Sequence, residues 1–287
     1  MILFLYTLVC LIWGSTWLAI KFGLEGVPPF LGAGLRFSIA SAILWTLVLF
    51  GKVEWRLSRD GRRAAAVAGV LGFGVCYGLV YWAETRVSSG LVAVLHALVP
   101  LVTAVLTAFV TKTETLTARK SVGTAVGFAG VVLLFWPEKG VAAADGAGLL
   151  AALVAGVGAG VNLTAQSVWS KKDDARALNA WAMSVGAAIL LAVSALAERG
   201  ATVVWSGANV AALLYLATAG SVVAFLSYYR LIRLLPATKV SLITLIFPAV
   251  AFLLGWIVLG ERIGVNGALG IAAIMGGVGL ALRRPRA

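Results

Sequence analysis

The sequence predicts an all-α polytopic membrane protein of ten transmembrane helices, built as two inverted five-helix repeats with both termini in the cytoplasm. Three observations carry that expectation. The chain is 61% apolar and only 12% charged over 287 residues, too little charge to cover a water-soluble surface. Its charges fall at intervals that leave stretches of about 20 apolar residues, the length that crosses a bilayer. Its lysines and arginines, finally, crowd one side of the alternation those stretches impose.

The ten stretches run near 2–21, 30–50, 64–83, 88–110, 121–136, 147–169, 177–197, 208–229, 238–259 and 264–282. Stretch 1 begins at the first residue with no basic leader before it, so a removable signal peptide is not expected. Stretch 5 is short, and either stands upright or borrows from the loop at Lys120. Cys10 and Cys76 both fall inside apolar stretches and read as small core residues, neither disulfide partners nor metal ligands. No polar connection is long enough for a water-soluble domain.

Basic residues orient the helices. With the N-terminus inside, the cytoplasmic segments receive Lys52, Arg56, Arg59, Arg62, Arg63, Lys112, Arg119, Lys120, Lys171, Lys172, Arg176, Arg230, Arg233, Lys239, Arg283, Arg284 and Arg286. Only Lys21, Arg86, Lys139, Arg199 and Arg262 go to the other side. The net charge of +12 therefore reads as topology and attraction to anionic lipid, and no nucleic-acid partner is expected.

An internal repeat gives the chain its symmetry. Residues 88–134 match 236–282, with Pro100 against Pro248 and, after a one-residue shift, Glu114 against Glu261. Each copy is a helix with a central proline, a Glu-containing turn and a glycine-rich helix. A spacing of about 148 residues spans five helices, an odd number, so the second copy enters the membrane from the opposite face. The halves are expected at 1–137 and 138–287, with a solute site between them near the midplane, as in many secondary transporters.

The run LIWGSTWLAIKFG in helix 1, LRFSIASAIL in helix 2 and the two proline–glutamate–glycine helix pairs resemble the drug/metabolite transporter superfamily, EamA type. The first half departs slightly, with Thr113-Glu114-Thr115 where the second has Gly260-Glu261-Arg262. The resemblance covers the whole chain and implies a ten-helix exporter of amino acids or related metabolites. Aromatic amino-acid exporters of this family share its length and repeat.

Candidate pathway residues follow from placing polar and aromatic groups on helix faces. Pro100 and Pro248 each remove one helix hydrogen bond and free the carbonyl four residues earlier, at His96 and Thr244; in lipid a freed carbonyl is expected to face a polar cavity. His96, the only histidine, could donate a hydrogen bond or couple transport to protons, although a packed neutral histidine fits as well. On helix 3, Tyr77, Tyr81 and Glu84 share a face at i, i+4 and i+7; on helix 6, Asn162, Gln166 and Trp169 do the same. Those amides read either as ties between helices or as cavity lining, and Tyr81 and Trp169 fit an interfacial aromatic belt too. Trp13 lies too deep in helix 1 for such a belt, and with Trp17 it is expected to wall the pathway. The outer vestibule is thus expected to hold Trp17, Tyr77, Tyr81 and His96, the inner one Asn162, Gln166, Tyr228 and Thr244.

Arg36 is the one basic residue inside a stretch, where an unpaired guanidinium costs several kcal/mol. It is expected near the outer end of helix 2, snorkelling or paired with Glu25; anchoring a substrate carboxylate is the alternative. Helices 5 and 10, rich in glycine between Gly123 and Gly130 and between Gly264 and Gly279, read as packing or dimer-contact elements. The pairs Gly74/Gly78 and Gly156/Gly160 also suit close helix approach.

No metal-ligand spacing, catalytic dyad or nucleotide-binding glycine loop is present, so neither an enzyme nor direct ATP drive is expected, and no cofactor or metal. A passive channel would not need two proline-kinked opposed halves. The partners expected are a small-molecule substrate and membrane lipid, for a monomer or weak homodimer in a bacterial-type inner membrane. A broad-specificity drug or metabolite carrier is the alternative to an amino-acid exporter.

Overall fold

The computed structural model of the chain describes residues 1–134, 145–259 and 265–282. Glu261, Arg262 and Gly264, with the turn they belong to, lie outside the described residues, as do Lys139, Arg283, Arg284 and Arg286.

Among the described residues, ten helical segments follow one another along the chain. They are α1 Ile2–Leu24, α2 Pro29–Phe50, α3 Arg59–Glu84, α4 in the pieces Ser89–His96, Val99–Val105 and Leu106–Val110, and α5 Ala118–Leu134. Then follow α6 Gly146–Trp169, α7 Ala175–Ala197, α8 Gly207–Leu234, α9 in the pieces Ala237–Ser241 and Ile243–Leu259, and α10 Val265–Leu282. Among the described residues there is no strand, and eight helices are long and apolar enough to cross a membrane. The described part of α5, 17 residues, falls just below that length.

Charged residues that delimit apolar stretches in the sequence are taken up into helix ends, because side chains cap those ends. Ser58 Oγ accepts from the Gly61 amide at 3.0 Å, so α3 begins five residues before its apolar stretch. Asp174 Oδ1 accepts from the Arg176 amide at 2.8 Å and caps α7. Ser206 and Asn209 form a reciprocal capping box on α8, satisfying amides that have no partner within the helix.

Packing follows small residues. Along α5, a Cβ at Gly123 would meet the Gly277 carbonyl at 2.6 Å, and one at Gly130 would meet the Ile274 amide at 2.7 Å. Backbone therefore touches backbone, and α5 and α10 lie side by side along their lengths. Helices α2 and α7 form the second long pair. In the centre, Gly14 of α1 abuts Val250 and the Phe247 carbonyl of α9, and Gly160 of α6 abuts Val102 and the Val99 carbonyl of α4. Each contact brings a glycine against the residues just before and two after a proline.

Two features were not legible in the helical period. Helices α3 and α8 each widen into a π-helical stretch, at Ala68–Cys76 and Thr218–Val223. The proline helices also differ from expectation. In α4 the interruption sits at Ala97–Leu98, and Pro100 is the second residue of the piece that follows, Val99–Val105. In α9 the interruption is at Leu242, and the helix runs on through Pro248. The matching prolines thus sit differently: Pro100 lies in a first turn, where the missing amide costs nothing, whereas Pro248 lies inside its helix.

Candidate functional site

A cavity of about 100 Å³ opens between α1, α3, α4, α6, α8 and α9, room for several waters or part of a small solute. Trp13, Trp17, Tyr77, His96, Asn162, Tyr228 and Thr244 all line it. The two expected vestibules are therefore represented around one chamber.

Aromatic contacts shape its walls. The Trp13 ring packs on Tyr228 at 4.9 Å and on Phe225 at 5.2 Å, and its Nε1 donates to the Gly220 carbonyl at 3.2 Å. That acceptor lies in the π-helical stretch of α8, where widened turns leave carbonyls available. Trp17 stands 6.2 Å from the His96 ring and 5.7 Å from Phe247. His96 Nδ1 is buried without a hydrogen-bond partner. Asn162 Oδ1 accepts from Gln166 at 3.0 Å, and Thr244 donates to the Ser241 carbonyl at 2.8 Å.

Two expected pathway residues lie elsewhere. Gln166 is 1% exposed and its Nε2 also donates to the Ala64 carbonyl at 2.9 Å, tying α6 to α3 one turn below the cavity. Tyr81 is buried one turn above it, where its hydroxyl accepts from Arg36 at 3.3 Å; it borders a second, smaller cavity with Val27 and Asn209. Glu84, on the same face, accepts from Ser89 at 3.1 Å. Of each face only one residue borders the chamber, Tyr77 on the first and Asn162 on the second.

Arg36 is the clearest correction. It neither snorkels nor pairs with Glu25, being 1% exposed. Its Nε donates to Ser221 Oγ at 2.9 Å and its Nη2 to the Gly220 carbonyl at 3.2 Å. The guanidinium also sits 5.1 Å from the centre of the Tyr77 ring. A π-helical stretch in α8 supplies these partners, and no helical pattern announced it.

Sequence reasoning missed Thr16, Ile20, Gly72, Cys76, Val80, Val99, Ala159, Phe225 and Phe247 as lining residues. For several the signal was available in the repeat. The lining residues pair off at a spacing of 146 to 148 residues: Trp13 with Ala159, Thr16 with Asn162, Tyr77 with Phe225, Val80 with Tyr228, His96 with Thr244 and Val99 with Phe247.

Comparison with known proteins agrees with this geometry. The EamA-like transporter family matches residues 1–136 and again 146–283. The chain belongs to the EamA family. Among its EamA relatives, the Bacillus subtilis protein named as transporter YoaV is 27% identical over 272 residues, covering 94% of this chain and 92% of its own length. The Escherichia coli protein named as inner membrane transporter YedA is 31% identical over 258 residues, 88% of this chain and 81% of its own. PecM of Dickeya dadantii is 29% identical over 265 residues, 90% and 83% of the two chains. A crystal structure with 21% identity superposes with a TM-score of 0.80 over 97% of this chain and 95% of its own, which speaks to the fold. This EamA protein is a multi-pass membrane transporter.

Proposed function

We propose that the protein is a secondary transporter that exports amino acids, aromatic and other apolar ones included, or related small metabolites across the inner membrane by alternating access around the central cavity. In this reading residues 1–137 and 138–287 are inverted repeats, both termini are cytoplasmic, and the nine pathway residues named from the sequence serve the route, with Tyr81 and Gln166 acting outside the chamber itself.

The pairing of lining residues at 146 to 148 positions is the observation that carries it. A site assembled from equivalent positions of two opposed units has two equivalent exits, which is what alternating access requires. The double family match at 1–136 and 146–283 and the π-helical stretches in α3 and α8 support the same division. Aromatic walls formed by Trp13, Trp17, Tyr77, Phe225, Tyr228 and Phe247 suit amphiphilic solutes with an apolar side chain.

The test is counterflow in proteoliposomes with a panel of labelled amino acids. Exchange of aromatic and large apolar amino acids above empty-liposome background is the expected result. Exchange of unrelated drugs with no amino acid among the substrates would replace this reading with that of a broad-specificity carrier.

A further inference from the structure

Among the described residues, the cavity proposed to accept the solute is lined by no lysine, arginine, aspartate or glutamate. A fixed charge stands behind the wall at Arg36, and the wall between is one side chain thick. Tyr77 lines the cavity and has the guanidinium 5.1 Å from its ring centre. Trp13 lines it too, and shares with Arg36 the Gly220 carbonyl as acceptor.

An arginine side chain carries a permanent charge, and buried charges are ordinarily paired with an opposite one. Arg36 is not: among the described residues no carboxylate lies within 4.0 Å of it. Its partners are a hydroxyl of α8, a backbone carbonyl of α8 and the Tyr81 phenol, all neutral. The repeat sharpens the point. Aligning LRFSIASAIL with WAMSVGAAIL sets Arg36 against Ala182, so the fold does not need a cation at this position to pack α2 or α7. A charge retained next to an uncharged cavity, in a medium that penalises it, has a use if the missing counter-charge arrives with the solute.

We propose that Arg36 is the counter-charge for a substrate carboxylate, so that the cavity takes anionic or zwitterionic solutes with the carboxylate turned toward the Tyr77 and Trp13 wall and rejects organic cations. This rests on the carrier reading above and adds the charge class of its substrate. The long-range attraction acts through the aromatic wall, where low polarisability screens it far less than water does. A purely architectural Arg36 would hold α8 against α2 and leave charge selectivity unchanged.

Calorimetric titration of the purified full-length protein with four ligands of one side chain separates the two. The ligands are phenylalanine, 3-phenylpropionate, phenylalaninamide and phenethylamine. The two carboxylates are expected to bind about tenfold or more tightly than the amide and the amine. Arg36→Gln should erase that difference, and Arg36→Lys should keep it in the expected direction. Equal binding of all four to the unaltered protein overturns the assignment while leaving the carrier reading intact, as does a carboxylate preference that survives in Arg36→Gln. Binding of none of the four, with exchange of other solutes in proteoliposomes, overturns both this assignment and the amino-acid substrate. Should Arg36→Gln fail to remain monodisperse, Arg36→Met, which removes the charge while keeping an apolar stem of similar length, makes the same comparison: loss of the preference supports the assignment and its survival overturns it.

Discussion

At the scale of single residues, position along a helix face separates lining from scaffolding. Asn162 and Gln166 differ by one turn and are hydrogen-bonded to each other, yet only Asn162 borders the cavity. Gln166→Leu removes the bond to the Ala64 carbonyl and should lower stability by about 0.6–1.7 kcal/mol, the range for hydrogen bonds between membrane helices, while ligand affinity stays within about twofold. Asn162→Leu should do the opposite, weakening binding at little cost in stability. Thermal melts and titrations on both variants check the pair. The sequence made Tyr77, Tyr81, Asn162 and Gln166 visible because an i, i+4 spacing fixes a common face. It could not give depth, since the height of the chamber is set by where other helices part, and that is not written in any one of them.

Among the elements, α1 and α6 are the ones held closest to the proline helices, and glycine is why. Gly14→Val and Gly160→Val would drive a branched side chain into Val250 and Val102, where even a Cβ comes within 2.5 to 2.7 Å of the neighbouring side chain. Each should cost about 1–3 kcal/mol, as overpacking does, read as a fall in melting temperature. Gly23→Ala is the control, because its added Cβ meets nothing within 4 Å, and it should melt no lower than the unaltered protein. The existence of these helices was legible from hydropathy alone, and so was the weight of glycine in α5 and α10. The π-helical stretches of α3 and α8 were not: AGVLGFGVC and TAGSVV carry glycines, but a glycine marks permissive backbone without saying which way the turn will widen. From that widening come the Gly220 acceptor and, through it, the burial of Arg36.

For the whole molecule, the basic residues make a claim about sidedness. With cysteine-free background, Lys172→Cys and Ala201→Cys sit in exposed connections at opposite ends of α7. An impermeant maleimide should label Ala201→Cys in intact cells and Lys172→Cys only after permeabilisation; the reverse pattern would invert the proposed orientation. Ends of the bundle also carry bonds between the halves. Glu114 accepts from Lys120 at 3.1 Å, from the Thr238 amide at 3.2 Å and from the Thr238 hydroxyl, while at the other end Glu198 accepts from the amides of Phe30 and Leu31 at 2.8 and 3.0 Å. The repeated glutamate at 114 was legible as a turn; its reach across to α9 was not, because it depends on the two halves being docked.

The backbone contact between α5 and α10 also bears on how the protein is made. Helix α5 presents Gly123 and Gly130 to α10, which lies in the second family-matched segment. During synthesis at the membrane its glycine face therefore waits for its partner until α10 has followed. Because α10 completes the packing of α5, the two family-matched segments do not mature in succession as independent domains. A chain lacking α10 would leave the α5 glycine face without the backbone it packs on.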